Sequence, residues 1–298
     1  LNKENLFKIS FYLFFISLFF LCLVPVLGVE VKGSKRWLNL FFLPRFQPIE
    51  IVKPFIIIFI VTILCSEKNF NIYFKYLLTF IAIIPACLLL MMQPDIGQTL
   101  LIFLAWVILV FISGISLPVI LTFFSFSLLS LVYMVFFIQK FAYIKNRILS
   151  FFNPSDGTHN FQSDKAIDAI SSGGYFGKGI GEGTLKNRVP EAHTDYIISV
   201  IAEEFGVVVI MLLLILFLFF IYTVFQKIYL EKSEKIKLVL AGTICLIIFQ
   251  ALIHIGVNIR LFPTTGMTLP FLSYGGSSIV GVSILSGIIL NLTKRKVD

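Results

Sequence analysis

Residues 96–139 read IGQTLLIFLAWVILVFISGISLPVILTFFSFSLLSLVYMVFFIQ and contain no Asp, Glu, Lys or Arg. A helix needs about 20 predominantly apolar residues to cross a bilayer, so this stretch is long enough for two. Near its middle, the run SGISLP at 113–118 is rich in turn-forming residues. The stretch therefore predicts two membrane helices joined by a tight turn.

The composition of the whole chain also indicates a membrane protein. Its 298 residues are 58% hydrophobic and 13% charged, with a mean hydropathy of +0.97, whereas soluble domains carry about 25% charged residues. These values exclude an ordinary soluble enzyme, a disordered tail and a secreted disulfide scaffold. The net charge of +8 suits an anionic bilayer surface and gives no reason to invoke nucleic acid.

Six further apolar stretches predict membrane helices, because a backbone in lipid must satisfy its own hydrogen bonds. The sequence thus predicts an all-α polytopic integral membrane protein, one transmembrane domain over 1–298 with eight transmembrane helices. The short loops on the side of the termini hold more Lys and Arg than those on the other side, so the long loop at 140–195 is expected to be extracytoplasmic. The six stretches are 9–29, 47–65, 76–92, 205–226, 238–259 and 272–291.

Polar residues that are costly near a membrane gather in four clusters. In the first, Arg36 and Trp37 could be an interfacial anchor or a functional pair, and Glu50 and Lys53 share a helix face at i,i+3 spacing. The second is QPDIGQ at 93–98. A carboxylate so close to the hydrocarbon edge favours an inward-facing, functional Asp95 over one in solvent.

The third cluster combines a glycine-rich run with acidic residues. The run GGYFGKGIGEG at 173–183 matches neither a P-loop nor a Rossmann fingerprint, and its glycine content alone favours a flexible loop. If the helix that follows is regular, Asp195, Ser199 and Glu203 lie on one face along about 12 Å. Acidic residues on an apolar span favour a functional strip over simple helix capping.

The fourth cluster covers residues 258–278 and contains Pro263, Gly266 and Pro270. These residues interrupt an apolar segment, which predicts non-helical backbone at membrane depth. Close packing of helices through small residues is the other interpretation.

In this order, the clusters resemble the SEDS family of bacterial membrane proteins, the FtsW/RodA group. The family pattern has Arg-Trp in an outer loop, then Q-P-S-E-x-x-K, Q-P-D-x-G, P-E-x-H-T-D and P-F-x-S-Y-G-G-S-S. The matching runs in this chain lie at 36–37, 47–53, 93–97, 190–195 and 270–278.

Two positions depart from the family pattern. Ile49 stands where Ser is usual, which weakens any hydroxyl role there, and Tyr196 stands where Phe is usual. The runs GEGTLK at 181–186 and MTLP at 267–270, with a double Ser at 277–278, are more similar to the division-type FtsW branch than to RodA. Family members have ten spans, so the eight predicted here correspond to spans three to ten.

The resemblance implies a peptidoglycan glycosyltransferase that polymerises lipid II during cell division. The 4-hydroxyl of lipid II would attack a glycan strand on undecaprenyl diphosphate, giving a β-1,4 linkage with inversion and releasing the lipid diphosphate. It further implies a place in the bacterial inner membrane at the division septum, with the active site facing the periplasm. The implied partners are a class B penicillin-binding protein, which is a transpeptidase, and other division proteins.

The residues of the clusters suit this chemistry. An attacking hydroxyl needs a base, and Asp195 is the predicted one. A divalent cation, Mg²⁺ or Mn²⁺, could share the stabilisation of the diphosphate, and Glu50, Asp95 or Glu191 could position groups or hold such an ion. The basic candidates for the diphosphate are Arg36, Lys53, Lys186 and Arg188. The other substrate-binding candidates are Trp37, Glu50, Asp95, Glu191, His193, Ser273 and Tyr274.

Two other functions are compatible with the same residues. A lipid II flippase would also need broken helices and carboxylates in the membrane, although the polar clusters lie on one predicted side and a carrier needs both. A non-catalytic division scaffold would use the clusters as contact sites, and Asp195→Ala would then leave glycan synthesis intact.

Overall fold

The computed structural model describes residues 2–31, 33–40, 44–67, 70–152 and 161–294. This part of the chain contains ten α-helices and one small antiparallel hairpin, β1 (Val29–Val31) with β2 (Ser34–Trp37), which the sequence did not predict. The helices are α1 (Lys3–Leu27), α2 (Pro48–Leu64), α3 (Ile72–Met92), α4 (Ile96–Ile112), α5 (Leu117–Phe137), α6 (Ala142–Phe152), α7 (Phe161–Gly173), α8 (Ile197–Leu230), α9 (Glu234–Asn258) and α10 (Gly276–Thr293).

Six of the helices in the described residues are long and apolar enough to cross a membrane: α1, α3, α5, α8, α9 and α10. Helix α4 is apolar but has 17 residues, and α2, also of 17 residues, carries Glu50 and Lys53. The polytopic, helical character is thus confirmed, while the count of eight spans stays a prediction. The turn predicted at 113–118 separates α4 from α5.

The chain folds into two compact units. The first comprises 1–133, 224–247 and 276–298, and the second comprises 134–223 and 248–275. In the first unit, α2 packs against α1, α3, α4 and α10. Most of its side chains, including those of Glu50 and Lys53, are buried, as expected for a helix that other helices surround.

Close packing of α10 on α2 depends on Gly281. A Cβ atom at this position would lie 2.5 Å from the backbone oxygen of Glu50 and 3.2 Å from its carboxylate. We therefore expect Gly281→Ala to lower the free energy of unfolding by about 1–3 kcal/mol, because one of two rigid helices must move. Thermal unfolding in detergent measures this change.

Helix α10 also provides a matched control for that substitution. A Cβ at Gly287, in the same helix, would meet no atom within 4 Å. Gly287→Ala should leave the unfolding temperature unchanged or raise it slightly. An equal loss in both variants would mean that helix–helix packing at Gly281 is not the cause.

In the second unit, the 34-residue helix α8 is broken at Gly206, where φ is 79° and ψ is 179°. A short piece of nine residues, 197–205, precedes the break and a long apolar piece follows it. The backbone groups on both sides of such a break lose their helical partners and need others.

Helix α10 begins later than the sequence predicts. The expected start was Leu272, but the helix begins at Gly276. Phe271 has a φ of 68°, and the hydroxyl of Ser273 accepts a hydrogen bond from the Leu269 N–H at 2.8 Å. The segment between α9 and α10 is therefore non-helical, as its prolines predicted.

Candidate functional site

In the first unit, the guanidinium of Arg36 faces the turn between α3 and α4. Its Nε donates to the carbonyl oxygen of Gln93 at 3.1 Å, and one Nη donates to the carbonyl oxygen of Pro94. The other Nη lies 3.8 Å from the carboxylate of Asp95. Arg36 thus holds the turn, and this geometry gives no support to its predicted role as a ligand of the diphosphate.

Asp95 is buried, as its position at the hydrocarbon edge indicated. One oxygen accepts a hydrogen bond from the N–H of Gln98 at 3.3 Å, which caps α4, and the other accepts from Nε2 of Gln47 at 3.3 Å. Burial raises the pKa of Asp95, and the nearby Arg36 opposes this shift. Asp95 therefore joins the start of α4 to the start of α2.

A second buried polar group lies in the first turn of α2. Nζ of Lys53 lies 2.7 Å from one oxygen of Glu50, and Nε2 of Gln98 donates to the other at 2.8 Å. The predicted i,i+3 pair is therefore formed, with each charged residue at most 2% exposed. Removing one partner of such a pair leaves an uncompensated buried charge, so both residues support the core of the unit.

Trp37, the remaining candidate of the first unit, is the last residue of β2. It pairs with Val29 across the hairpin and is half-buried. Its role against a sugar or lipid stays a prediction.

In the second unit, residues 174–183, hereafter the glycine loop, fill the break in α8. The N–H groups of Lys178 and Gly179 donate to the carbonyl oxygens of Glu203 and Glu204, which lie in the last turn of the short piece. The N–H groups that begin the long piece donate back to the loop: Val207 to Gly174 and Val208 to Tyr175. The loop thus replaces the lost helical partners, so the interpretation as a flexible loop was wrong.

Glu203 fixes the segment that follows the glycine loop. Its carboxylate is completely buried and accepts hydrogen bonds from the backbone N–H groups of Leu185, at 2.9 Å, and Lys186, at 2.6 Å. Nζ of Lys178 approaches the same carboxylate at 3.4 Å. The neighbouring Glu204 binds Nζ of Lys186 and the N–H of Gly181.

These contacts correct the predicted acidic strip. Helix α8 begins at Ile197, so Asp195 lies in the turn before it. Ser199 is buried and its hydroxyl donates to the carbonyl oxygen of Tyr196 at 2.7 Å. Glu203 is turned toward backbone amides instead of a cavity. Of the three residues, Asp195 alone is partly exposed.

The segment around Asp195 is held by three consecutive backbone carbonyls. Asn258, at the end of α9, donates from Nδ2 to the carbonyl oxygen of Asp195 at 3.1 Å. Ser273 donates from Oγ to that of Thr194 at 2.6 Å, and the N–H of Tyr274 donates to that of His193 at 3.0 Å. The non-helical segment after α9 therefore positions the predicted base.

These hydrogen bonds bear on Ser273 and Tyr274, the two residues of the 270–278 run that were predicted to bind substrate. The hydroxyl of Ser273 is only 4% exposed and both donates to and accepts from backbone groups, so it acts on the position of Thr194. The ring of Tyr274 is exposed. Asn258 was not among the predicted site residues, and its polar side chain at the end of an apolar helix was the available signal.

Three residues close to Asp195 in the chain, Glu191, His193 and Tyr196, differ in exposure and in their ability to accept a proton. Glu191 and His193 are exposed, and the carboxylate of Glu191 accepts from the hydroxyl of Thr194 at 3.1 Å. Burial raises the pKa of Tyr196 to about 12, helped by the charge of Asp195 and opposed by a hydrogen bond with Ser163. Tyr196 thus stays protonated at neutral pH and cannot serve as a base there.

The basic candidates of the second unit differ in their surroundings. Nζ of Lys186 is paired with Glu204, whereas Arg188 is exposed and forms no ion pair with any described residue. Among the residues that the structure describes, no three His, Cys, Asp or Glu side chains lie close enough together to hold a metal ion. Mg²⁺ that acts on phosphates is usually held by one or two carboxylates together with the phosphates themselves. The divalent cation therefore stays a prediction, and no step is assigned to one.

Known proteins share both the sequence and the fold of this chain. The FtsW/RodA/SpoVE family model, described as "Cell cycle protein", matches residues 1–297. A protein from Caulobacter vibrioides named "Probable peptidoglycan glycosyltransferase FtsW" is 33% identical over 305 aligned residues, which cover 99% of this chain and 75% of that protein.

Two solved structures extend the likeness to the fold. One is a chain from a study of polymerization and crosslinking by a peptidoglycan synthase complex, with a TM-score of 0.80 and 27% identity, covering 100% of this chain and 84% of that one. The other is the rod shape determining protein RodA of Thermus thermophilus, with a TM-score of 0.71, 27% identity and coverages of 100% and 82%. The chain therefore belongs to the FtsW/RodA/SpoVE family of cell cycle proteins, as its motifs indicated.

Proposed function

We propose that this protein is a peptidoglycan glycosyltransferase that polymerises lipid II into β-1,4 glycan strands during cell division. The observation that carries the proposal is the partly exposed Asp195, whose backbone is held in place by the segment after α9. The relative from Caulobacter vibrioides, which is named for this activity, supports the same function.

In the proposed reaction, Asp195 accepts the proton of the 4-hydroxyl of lipid II as that oxygen attacks the anomeric carbon of the strand. The bond from this carbon to the diphosphate oxygen breaks, and its electron pair leaves with the lipid diphosphate. Positive charge that is already in place stabilises the developing negative charge. Arg188 is the candidate for this role, because its guanidinium is exposed while the ammonium of Lys186 is paired with Glu204.

We expect Arg188→Ala to lower the polymerisation rate about 10²-fold, because charge stabilisation of a leaving group contributes that much or more. Arg188→Lys should restore part of the rate, since a lysine supplies the charge without the planar geometry. Lys165→Ala serves as a control, because Lys165 lies on α7 and is paired with Asp168 at 3.0 Å. An unchanged rate in Arg188→Ala would remove Arg188 from the proposed site.

The test of the proposed function is glycan polymerisation from purified lipid II by the full-length protein, with a transpeptidase partner present. Strand formation supports the glycosyltransferase. If no strand forms although the partner is bound and lipid II is intact, the flippase or the scaffold is favoured. A flippase would still move lipid II across the membrane of vesicles, whereas a scaffold would not.

The location and partners are part of the same proposal. We place the protein in the bacterial inner membrane at the septum, with eight spans in this chain and the 140–195 loop and Asp195 facing the periplasm. A class B penicillin-binding protein is the proposed partner, together with other division proteins. The fold shared with a chain of a complex that combines polymerization and crosslinking supports this partner.

A further inference from the structure

The glycine loop presents three large apolar side chains outward. Tyr175, Phe176 and Ile180 are 76%, 84% and 79% exposed. The loop backbone that carries them is fixed by its hydrogen bonds to α8. Single exposed apolar residues are common on protein surfaces, but a group of them on a fixed backbone indicates a surface that binds a membrane or another protein.

The hydrogen bonds of the loop also define where these side chains lie along α8. The carbonyls of Gly174 and Tyr175 accept from Val207 and Val208, the first residues of the long apolar piece. Val207 and Val208 are themselves exposed, as is the row of apolar residues that follows them on the same piece. The glycine loop therefore lies at the end of this exposed apolar surface. The row is Met211, Leu212, Ile215, Leu216, Leu218 and Phe219.

Four glycines allow the loop to fold this closely. Gly174, Gly177, Gly179 and Gly181 all have positive φ angles, between 58° and 110°. A Cβ on Gly177 would collide with the carbonyl of Glu204, and one on Gly206 would collide with that of Tyr175. The backbone of the loop thus cannot lift from α8 without breaking the hydrogen bonds that close the helix break.

We propose that Tyr175, Phe176 and Ile180 form a membrane anchor that inserts into the interface of the bilayer at the end of α8. Aromatic side chains are enriched at this depth because they join an apolar ring to the polar headgroup region. Lys178, between them, keeps its ammonium 3.4 Å from the carboxylate of Glu203. The anchor would hold the short piece of α8, and with it the turn of Asp195, at the membrane surface.

The test uses the full-length protein in vesicles of phosphatidylethanolamine and phosphatidylglycerol. Single nitroxide labels are placed by Tyr175→Cys, Phe176→Cys or Ile180→Cys, after the four native cysteines are replaced by Ala. Collision of each label with oxygen and with a water-soluble nickel chelate is then measured. Glu182→Cys, at an exposed charged residue of the same loop, is the aqueous control, and Leu212→Cys is the lipid control.

The anchor predicts that the three labels lose most of the nickel collision rate seen at Glu182 and approach the oxygen collision rate seen at Leu212. Nickel collision equal to that at Glu182 would overturn the proposal. Protection from both reagents would overturn it too, because it would mean that protein covers the loop.

A second measurement avoids replacing the cysteines. Phe176→Trp is reconstituted with lipids brominated near the headgroup or deep in the chain, and the fluorescence of the parent protein is subtracted. The anchor predicts stronger quenching by the shallow bromines, whereas quenching by aqueous iodide alone would contradict it.

Discussion

Replacing Asp195 by Asn is expected to abolish glycan polymerisation, with a rate loss of about 10²–10⁴-fold, which is the usual contribution of a general base. The amide keeps the size of the side chain but cannot accept the proton of the sugar hydroxyl. The backbone bond from Asn258 involves the carbonyl of Asp195 and is retained in the variant. The loss should therefore appear in the rate of polymerisation and not in folding or partner binding.

The matched control for this variant is Asp168→Asn. Asp168 is an exposed carboxylate on α7 in the same unit, paired with Lys165. The Asp168→Asn variant should polymerise lipid II at the parental rate, since exposed ion pairs contribute little to stability. Polymer from Asp195→Asn at that same rate would remove Asp195 as the base and direct attention to Glu191, which lies in the same turn.

The second large effect concerns stability. Each carboxylate oxygen of Glu203 accepts a hydrogen bond from a backbone N–H. Glu203→Gln replaces one of these oxygens by an amino group, which is itself a donor. One N–H of the 185–186 backbone then loses its acceptor, and the ammonium of Lys178 loses its charged partner. We expect the free energy of unfolding to fall by about 3 kcal/mol, because a backbone donor is left without its acceptor and the remaining hydrogen bonds to residue 203 are no longer made to a charged group. Denaturant unfolding in detergent measures the loss.

Glu182→Gln is the control for the substitution at Glu203. Glu182 is exposed in the same loop, so its replacement should change stability by less than about 0.5 kcal/mol. A similar stability of the two variants would show that the buried carboxylate does not hold the loop. A rate loss in Glu203→Gln without any loss of stability would give Glu203 a direct role in the reaction.

The sequence predicted where most of the apolar helices lie, although several of them begin four to eight residues earlier than expected. Hydropathy locates a span because it is a local property that adds along the chain. It failed where tertiary contacts decide the backbone. The break at Gly206 lies one residue after the predicted start of its span, and hydrogen bonds from the glycine loop replace the helical partners that are lost there. The start of α10 moved to Gly276 for a similar reason, since the side chain of Ser273 bonds to the backbone of Leu269.

The predicted site shows the same division. Motif order by itself determined the family and singled out Asp195, Glu50, Lys53 and Asp95, because a polar residue in an apolar chain stands out without any structure. Tertiary structure decided what each polar group contacts. The partners of Glu203 lie 17 and 18 positions away in the chain, those of Arg36 lie 57 and 58 away, and Thr194 lies 79 from Ser273. No local pattern encodes such pairings, because they exist only once the chain has folded.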